Sequence, residues 1–491
     1  MTTAATRYET VIGLEVHSQL LTRSKMFCAC AVPPSDAAPN TFVCPICLGM
    51  PGVLPVINEL AVRCTVMTGL ALNCEIPEYS KFDRKNYNYP DLMKGYQISQ
   101  YDLPLARAGW LEVEVEGRQK RIGLTRVHLE EDTARLQHYE SGPSGYSLVD
   151  VNRSSVPLME IVSEPDMRSA AEARAYLVKL RQILRYLGVS NANMEEGNFR
   201  CDANISLRPI GESEFGAKVE VKNMNSFRAV FRALEFEAER QARVLDSGGR
   251  IAQETRGWVE SGGRTVSQRS KEFANDYRYF PEPDLPPLVF SPAWIEEVRA
   301  ALPELPDAKR QRFEQQYGLS AYEANLLTES RERAAYFEGL VSLPAGSGRQ
   351  HRAKLAANWV LGDLTRLQSA AGLELEEILV RPVQLAQLLD LLEAGQITGT
   401  AAKRVLDQMF ATGADAETVV KDLGLEAMGA GSELDEAAVR VLGANPKAVA
   451  DYCGGKSEAL QFLVGQFMRE TRGRADAAQA RELLKGRIRC D

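Results

Sequence analysis

The stretch Phe199-Arg-Cys-Asp-Ala-Asn-Ile-Ser-Leu207 identifies the fold class, because apolar and polar side chains alternate along its whole length. This alternation predicts a β-strand with one buried face and one polar face. A second alternating stretch, 217–221, leads into Lys222-Asn-Met-Asn225 and then into a helix that we expect to begin near Ser226. The polar faces of these two strands could line a cleft.

The helices of this region do not alternate regularly with the strands. Ser169-Ala-Ala-Glu172 has the form of a capping box, an apolar stripe at helical spacing follows it, and Gly188 ends the helix. Runs of strands with such intervening helices are typical of an α+β fold. We therefore predict a domain built on an antiparallel sheet rather than on a doubly wound parallel one.

The character of the chain changes after a cluster of prolines between Pro281 and Pro292. Beyond this cluster, nearly every segment has the apolar periodicity of an amphipathic helix, and a turn at 395–399 precedes a helix expected from about Thr400. We predict three domains, which are an α+β domain at 1–295, a helical domain at 296–405 and a C-terminal helical domain at 406–491.

Length and composition limit the class of protein. At 491 residues the chain can form several hydrophobic cores. It shows neither a secretory leader nor an apolar run long enough to span a membrane, so we expect a cytoplasmic protein. A net charge of -8 argues against a generic basic coat for nucleic acid, although local basic patches could still bind phosphate.

Four cysteines form two short pairs, Cys28-Ala-Cys30 and Cys44-Pro-Ile-Cys47. Two chelating thiolate pairs suit a closed tetrahedral zinc site, which is structural because it has no open ligand position. The alternative is four reduced cysteines in a hydrophobic core. The other cysteines have no paired spacing, and we expect ordinary reduced thiols at Cys64, Cys74, Cys201, Cys453 and Cys490.

Carboxylates and imidazoles recur at alternating positions in the first third of the chain. Glu15 and His17 would share one face of a strand, and His128 and Glu130 repeat this spacing. Glu160 is the sharpest clue, because a carboxylate in so apolar a segment needs a partner or a cation. If Glu15, His17, Glu130 and Glu160 converge, they form a mainly oxygen-ligand site suited to Mg²⁺ bridging phosphates. The alternative is that they form separate surface salt bridges.

Several common motifs are absent from the sequence. It has no G-x-x-x-x-G-K-[ST] loop, no G-x-G-x-x-G after a strand, no H-E-x-x-H and no G-x-S-x-G. Use of ATP would therefore depend on a carboxylate-bound metal and on basic side chains, for which the candidates are Lys85, Arg126, Arg153 and Lys222. No serine or cysteine arrangement suited to releasing ammonia from glutamine is evident, so any ammonia would come from elsewhere.

Longer motifs point to a known family. They are Gly13-Leu-Glu-Val-His17, 81–100, His128-Leu-Glu-Glu-Asp-Thr133, Val151-Asn-Arg-Ser154, 158–165, Cys201-Asp-Ala-Asn204, 222–227 and 276–286. In these motifs the chain closely resembles the B subunit of the aspartyl/glutamyl-tRNA(Asn/Gln) amidotransferases. The resemblance continues through 462–468 and so spans nearly the whole chain. The absence of a large inserted domain favours the B type over the related archaeal E type.

The resemblance implies a fold, an activity and partners. The fold would be a cradle domain related to glutamine synthetase at 1–295, followed by a helical domain and a tail that bind misacylated tRNA. The activity would be that of an ATP-dependent ligase, which phosphorylates the side-chain carboxylate of Glu-tRNA(Gln) or Asp-tRNA(Asn) and then amidates it. The partners in a heterotrimer would be an amidase or A-type subunit, which hydrolyses glutamine and supplies ammonia through a channel, and a small C-type subunit.

The resemblance also suggests roles for individual residues. Mg²⁺ would bind Glu15, His17, Glu130 and Glu160, with Lys85 and Glu160 acting in catalysis. The nucleotide would contact Arg126, Arg153 and Lys222. The structural Zn²⁺ would bind Cys28, Cys30, Cys44 and Cys47.

Two rival interpretations remain open at this point. A stand-alone ligase that activates a small carboxylate would explain the acidic site but leaves the helical half of the chain without a task. A zinc-stabilised RNA-binding module would explain the cysteines but leaves Glu160 unexplained.

Overall fold

The computed structural model describes residues 7–139, 145–270, 277–344, 346, 348–427 and 432–490. It divides into two compact units, Met1–Leu305 and Pro306–Asp491. Among the described residues, no helix combines the length and the apolar character that crossing a bilayer requires.

The first unit contains fifteen strands and four α-helices within its described residues. The strands are β1 (Tyr8–Gln19), β2 (Tyr79–Ser80), β3 (Asp83–Asn86), β4 (Tyr96–Ser99), β5 (Ala106–Val115), β6 (Arg118–Glu131), β7 (Arg135–Tyr139), β8 (Tyr146–Asp150), β9 (Pro157–Ser163), β10 (Phe199–Pro209), β11 (Val219–Lys222), β12 (Glu254–Val259), β13 (Arg264–Ser270), β14 (Phe280–Pro281) and β15 (Leu288–Val289). The helices are α1 (Glu59–Ala71), α2 (Ala170–Leu187), α3 (Phe227–Asp246) and α4 (Pro292–Ala300).

Eight of these strands form one sheet in the order β13-β12-β11-β10-β1-β9-β6-β5. Neighbouring strands run antiparallel except β11 and β12, which are parallel. The structure thus confirms the predicted α+β class and the mainly antiparallel sheet. The other described strands form the smaller sheets β14-β3-β4, β15-β2 and β7-β8.

The alternation along β10 separates the two faces of the large sheet. Phe199, Cys201 and Ala203 are buried in the core that the sheet shares with α1, α2 and α3. The residues between them point to the opposite face, where Arg200 and Asp202 line a cavity. The sheet therefore acts as a platform with helices on one face and polar side chains on the other.

Helix α2 forms largely where its sequence predicts. The Ser169 hydroxyl accepts a hydrogen bond from the Glu172 backbone N–H at 3.1 Å, Gly188 ends the helix at φ 68°, and the predicted apolar stripe is buried. The reciprocal half of the capping box is different, because the Glu172 carboxylate accepts from the backbone N–H of Arg168 at 2.7 Å. Helix α3 likewise begins after Ser226, as predicted.

The second unit is helical throughout its described residues. Its helices are α5 (Pro306–Tyr317), α6 (Ala321–Leu327), α7 (Arg331–Val341), α8 (Arg349–Trp359), α9 (Thr365–Ala371), α10 (Pro382–Glu393), α11 (Gly399–Thr412), α12 (Ala416–Leu423), α13 (Ser432–Ala444), α14 (Pro446–Cys453), α15 (Glu458–Glu470) and α16 (Ala477–Arg487). A π-helical turn, Val360–Leu364, joins α8 to α9.

Two separate hydrophobic cores stabilise this unit. One extends from Phe313 to Leu425, and the other extends from Leu434 to Leu484 within α13–α16. The contact boundary at Leu305 lies ten residues after the predicted one at 295, and the predicted boundary at 405 falls inside α11. The division into three domains with separate roles stays a prediction.

The sequence-based expectation for two cysteines was wrong. Cys453 and Cys490 form a disulfide between the end of α14 and the segment after α16, with a Cα–Cα distance of 5.3 Å. Their separation of 37 residues resembles no chelating or redox motif, so only the packing of α14 and α16 against α15 brings them together.

Candidate active site

A row of ionisable side chains crosses the polar face of the large sheet. The register places His17 of β1 opposite Glu160 of β9, and Glu160 opposite His128 of β6. On the other side of His17 lies Arg200 of β10. Because directly paired residues of antiparallel strands project their side chains to the same face, the register alone aligns these four groups.

Glu130 joins this row from the next same-face position of β6. The Nε2 atom of His17 lies 3.4 Å from Oε1 of Glu130 and 3.3 Å from Oε2 of Glu160. The Nε2 atom of His128 lies 3.3 Å from the same Oε2 of Glu160. His17, Glu130 and Glu160 each offer a ligand atom within 4.8 Å of the other two, so these three side chains could hold a metal ion.

The charges in this cluster depend on one another. Burial alone would lower the pKa of His17, but the carboxylates of Glu160 and Glu130 raise it to about 10. Burial alone would raise the pKa of Glu160, yet the adjacent imidazoles of His128 and His17 hold it well below its usual value. Burial would also raise the pKa of Glu130, but the hydrogen bond with His17 and the charge of Lys85 lower it. Both carboxylates therefore favour the ionised form, and without a metal the imidazole of His17 is held as the cation between them.

Glu15 lies in the same cavity but outside this cluster of three. Its carboxylate accepts a hydrogen bond from Nδ2 of Asn204 at 2.9 Å, on the neighbouring strand β10. Lys222 also lines the cavity, where its ammonium pairs with Asp202 and, at 3.2 Å, with Glu220. The strands β1, β10 and β11 thus form a second, mixed-charge end of the cavity.

The predicted arginines differ in position. Arg126 lines the cavity, and its Nε–H is buried without a hydrogen-bond partner among the described residues. Arg153 instead lies 3.3 Å from the buried carboxylate of Asp132, and Arg200 lies 3.0 Å from its other oxygen. Arg126 therefore has an unused donor for an anionic ligand, whereas Arg153 does not line the cavity and holds the carboxylate of the lining residue Asp132.

Lys85 enters the cavity from β3 beneath aromatic rings. Its ammonium lies 5.1 Å from the centroid of Tyr277 and 5.9 Å from that of Tyr87. Burial opposes the charge of Lys85, but the nearby carboxylate of Glu130 raises the pKa of the ammonium above its usual value. Lys85 is therefore a permanent cation facing the Glu130–Glu160 pair.

The cavity has a volume of about 850 Å³. That volume lies in the range typical of small-molecule sites, with room for a nucleotide and the end of a larger substrate. Its lining brings together predicted residues from the strands β1, β3, β6, β9 and β11, namely Glu15, His17, Lys85, Arg126, Glu130, Glu160 and Lys222.

The four paired cysteines form a separate cluster. One sulfur atom from each lies within 4.8 Å of the others, and the sulfurs of Cys44 and Cys47 are 3.9 Å apart. Four thiolates at the usual zinc–sulfur distance are about 3.8 Å apart at tetrahedral corners.

The charge around this cluster also fits a metal. A hydrogen bond from Cys28 and, to a smaller extent, the charge of Lys25 lower the pKa of the Cys47 thiol, which favours the thiolate. The buried ammonium of Lys25 has no hydrogen-bond partner among the described residues. A net negative metal–thiolate centre would balance this ammonium, so the residues fit zinc.

The sequence analysis did not assign several residues of the cavity. His128 was noticed only for its spacing, and Arg200 and Asp202 only as part of a polar strand face. The strand register would have identified them, but the register is a property of the tertiary structure and cannot be read from local sequence. Tyr277 and Tyr279 lie in the family motif at 276–286, but they follow no periodic pattern, so the sequence analysis gave them no role in the site.

Comparison with known proteins defines the class to which this fold and site belong. The family model of the GatB/GatE catalytic domain matches residues 10–296, and the family model of the GatB domain matches residues 336–488. The aspartyl/glutamyl-tRNA(Asn/Gln) amidotransferase B subunit of Dehalococcoides mccartyi is 58% identical over 490 residues, which cover 98% of this chain and 99% of the relative.

Two further relatives have the same name. That of Carboxydothermus hydrogenoformans is 54% identical over 482 residues, covering 98% of this chain and 99% of the relative. That of Thermomicrobium roseum is 55% identical over 478 residues, covering 97% and 98%. The chain belongs to the family of B subunits of the aspartyl/glutamyl-tRNA(Asn/Gln) amidotransferases.

Proposed function

We propose that this chain uses ATP to phosphorylate the side-chain carboxylate of Glu-tRNA(Gln), Asp-tRNA(Asn) or both, and then replaces the phosphate with ammonia. The observation that supports this most directly is the cluster of His17, Glu130 and Glu160 facing Lys85 across one cavity. The three side chains of the cluster suit a hard cation, and Lys85 supplies a permanent positive charge beside them. Phosphoryl transfer requires both.

The chemistry follows from the weakness of a carboxylate as an electrophile. An oxygen of the substrate carboxylate forms a bond to the γ-phosphorus of ATP while the bond to ADP breaks, giving an acyl phosphate. The nitrogen of ammonia then bonds to the acyl carbon, and phosphate leaves with the electron pair of the broken C–O bond. The ammonium proton is lost to a nearby base or to water.

The residues of the cluster fit Mg²⁺. Ligands of an octahedral Mg²⁺ lie about 3 to 4 Å apart, close to the separations of 3.3 and 3.4 Å around Nε2 of His17. Bound there, the ion would neutralise phosphate charge during transfer. Glu15 lies two residues before His17 on β1 and lines the same cavity, so it would join the site through a water ligand, since Mg²⁺ retains several waters.

Each of the basic residues would have a different role in binding phosphate. Lys85 faces Glu130 and Glu160 and would contact the transferred phosphoryl group. Arg126 would use its unpaired Nε–H for a nucleotide phosphate. Lys222 is paired with two carboxylates of β10 and β11, which would hold its ammonium in position to contact the nucleotide. Arg153, which does not line the cavity, would act only indirectly, by holding the carboxylate of the lining residue Asp132.

The proposal includes partners and a structural metal. An amidase subunit of the A type would hydrolyse glutamine and deliver ammonia, and a small subunit of the C type would complete a heterotrimer. Zinc on Cys28, Cys30, Cys44 and Cys47 would stabilise the segment between β1 and α1. The name of the relatives, in which this polypeptide is the B subunit of an enzyme acting on tRNA, supports both the partners and the substrate.

The substitution Glu160→Gln tests the proposal. It removes the charge from the carboxylate that contacts both imidazoles, so amidation of charged tRNA should fall at least about a thousandfold. Glutamine hydrolysis by the partner should remain measurable. Glu112→Gln, at an exposed position of β5 in the same sheet, is the matched control. Amidation by Glu160→Gln near the normal rate would contradict the proposed site.

A further inference from the structure

A segment of eight residues forms one wall of the cavity without contributing to the metal cluster. We call residues 277–284 the tyrosine strap. It runs along β3, where β14 pairs Phe280 with Arg84 and Pro281 with Asp83. The backbone N–H of Asn86 donates to the carbonyl of Tyr277 at 2.8 Å. These backbone bonds set the course of the strap.

The strap presents two rings to the cavity. Tyr277 lies over the ammonium of Lys85, and its ring makes an edge contact with Tyr87 at 5.6 Å between centroids. Tyr279 stacks on Tyr101 at 4.4 Å, with the ring planes 10° apart. Both tyrosines of the strap line the cavity. The rings therefore cover the side of the cavity on which Lys85 faces the carboxylates.

A buried ion pair anchors the strap. Arg84 donates from Nε to Oε2 of Glu282 at 2.8 Å and from its terminal nitrogen to Oε1 at 2.9 Å. The Glu282 side chain is 0% exposed, and the Arg84 guanidinium lies 4.3 Å from the ring centroid of Tyr96. Such a bidentate pair fixes both distance and orientation. Neither Arg84 nor Glu282 lines the cavity, so both act at a distance from the reacting groups.

We propose that Arg84 and Glu282 are positioning residues that hold the tyrosine strap in place, so that Tyr277 and Tyr279 exclude water from the acyl phosphate. This inference rests on the proposed function and explains how each ATP consumed would yield one amide. Water competes with ammonia for the same acyl carbon. If water attacks, its oxygen bonds to that carbon, phosphate leaves with the electron pair of the broken C–O bond, and the original carboxylate is regenerated. One ATP is then consumed without an amide.

The test measures phosphate released per amide formed, using the purified complex of this chain with its amidase and small subunits, glutamine, ATP and glutamyl-tRNA. A change in the folded fraction alters both quantities equally, so it does not change their ratio. Glu282→Gln keeps the shape of the side chain and removes the negative charge that holds the Arg84 guanidinium in the bidentate pair. Tyr277→Ala removes one ring directly and is the second variant if Glu282→Gln folds poorly. Glu75→Gln, which breaks the exposed pair of Glu75 with Arg107, is the matched control.

In the wild-type complex and in Glu75→Gln, we expect a ratio of about one. In Glu282→Gln and in Tyr277→Ala, the ratio should rise about threefold or more while amide formation falls. If both variants lose amide formation at a ratio that stays near one, the strap has only a folding role and the inference is wrong. If the wild-type complex consumes no ATP in response to charged tRNA, the proposed function itself fails, and the inference fails with it.

Discussion

Among single residues, the proposed function depends on which side chains meet on one face of the large sheet. His17 is the central one, because its Nε2 atom contacts both Glu130 and Glu160. Those carboxylates raise the pKa of His17 to about 10, above the ordinary value near 6.5. The metal-free protein therefore holds a proton at the position where a metal would bind.

Magnesium binding should consequently release a proton. A histidine must be neutral to bind a metal, so at pH 7.5 each bound Mg²⁺ should displace about one proton from His17. The affinity should rise with pH until the imidazole becomes neutral near pH 10. Calorimetric titration in two buffers of different ionisation enthalpy measures the released protons. His138→Gln, which alters an exposed histidine of β7, is the control, and binding without proton release would exclude His17 as a ligand.

Asp132 should contribute stability in a pH-dependent way. Burial alone would raise its pKa, but the guanidinium groups of Arg200 and Arg153 lower it below the usual value. A lowered folded pKa means that this stability is fully present above the unfolded pKa near 3.9 and is lost as the pH falls through the folded value. Asp132→Asn should cost about 2 kcal/mol at pH 7.

Urea unfolding of the wild type and of Asp132→Asn at pH 7 and pH 3 checks this expectation. The difference in free energy of unfolding should be smaller at pH 3. An equal difference at both pH values would show that the ionised carboxylate is not the stabilising form.

Among the structural elements, the segment between β1 and α1 is the least regular part of the first unit. The structure shows no helix or strand in this described segment, and an isolated bridge joins Ser24 to Ala31. Its backbone hydrogen bonds form turns and no continuous ladder, so a bound metal would add order to the segment. The two cysteine pairs lie within this segment, at 28–30 and 44–47, so a shared metal would close the loop between them.

Cys47→Ser should therefore abolish zinc binding. Elemental analysis of the reduced protein should find about one zinc per wild-type chain and almost none in the variant. Limited proteolysis should then cut between residues 23 and 56. Cys64→Ala changes a buried cysteine of α1 outside the cluster and should retain the metal. Absence of zinc from the wild-type protein would contradict the zinc site and favour the alternative of four reduced cysteines in a hydrophobic core.

In the whole molecule, the chain separates chemistry from the part proposed to hold tRNA. The cavity belongs entirely to the first unit, whereas α13–α16 have a hydrophobic core of their own in the second. Deleting α13–α16 removes this core and leaves the preceding hydrophobic core, which extends from Phe313 to Leu425, with all of its residues. The two tasks can thus be tested apart.

A chain that ends at Ala427 should still turn over but should bind tRNA poorly. In the assembled enzyme, KM for charged tRNA should rise about tenfold or more, because tail contacts contribute binding and not chemistry. The value of kcat and the partner's glutaminase rate should change little. An unchanged KM would show that the tail does not contact tRNA.

Local sequence patterns predicted the elements well. Helix α2, the start of α3 and the strand β10 depend on caps and on periodicity, which operate within a few residues. The cysteine cluster was predictable for the same reason, since chelating pairs are local. The boundary near 405 and the Cys453–Cys490 disulfide depend on helix packing, and periodicity carries no information about which helices pack together.

The order of residues along the chain was enough to establish the α+β class, the acidic character of the site and the family, because alternation, buried charge and long motifs are all local. Only the folded structure shows that His128 and Arg200 lie in the row, that Arg153 pairs with Asp132, and that Glu15 lies outside the cluster of His17, Glu130 and Glu160. The reason is strand register. Which residue of one strand faces which residue of the next is fixed by the packing of the whole sheet.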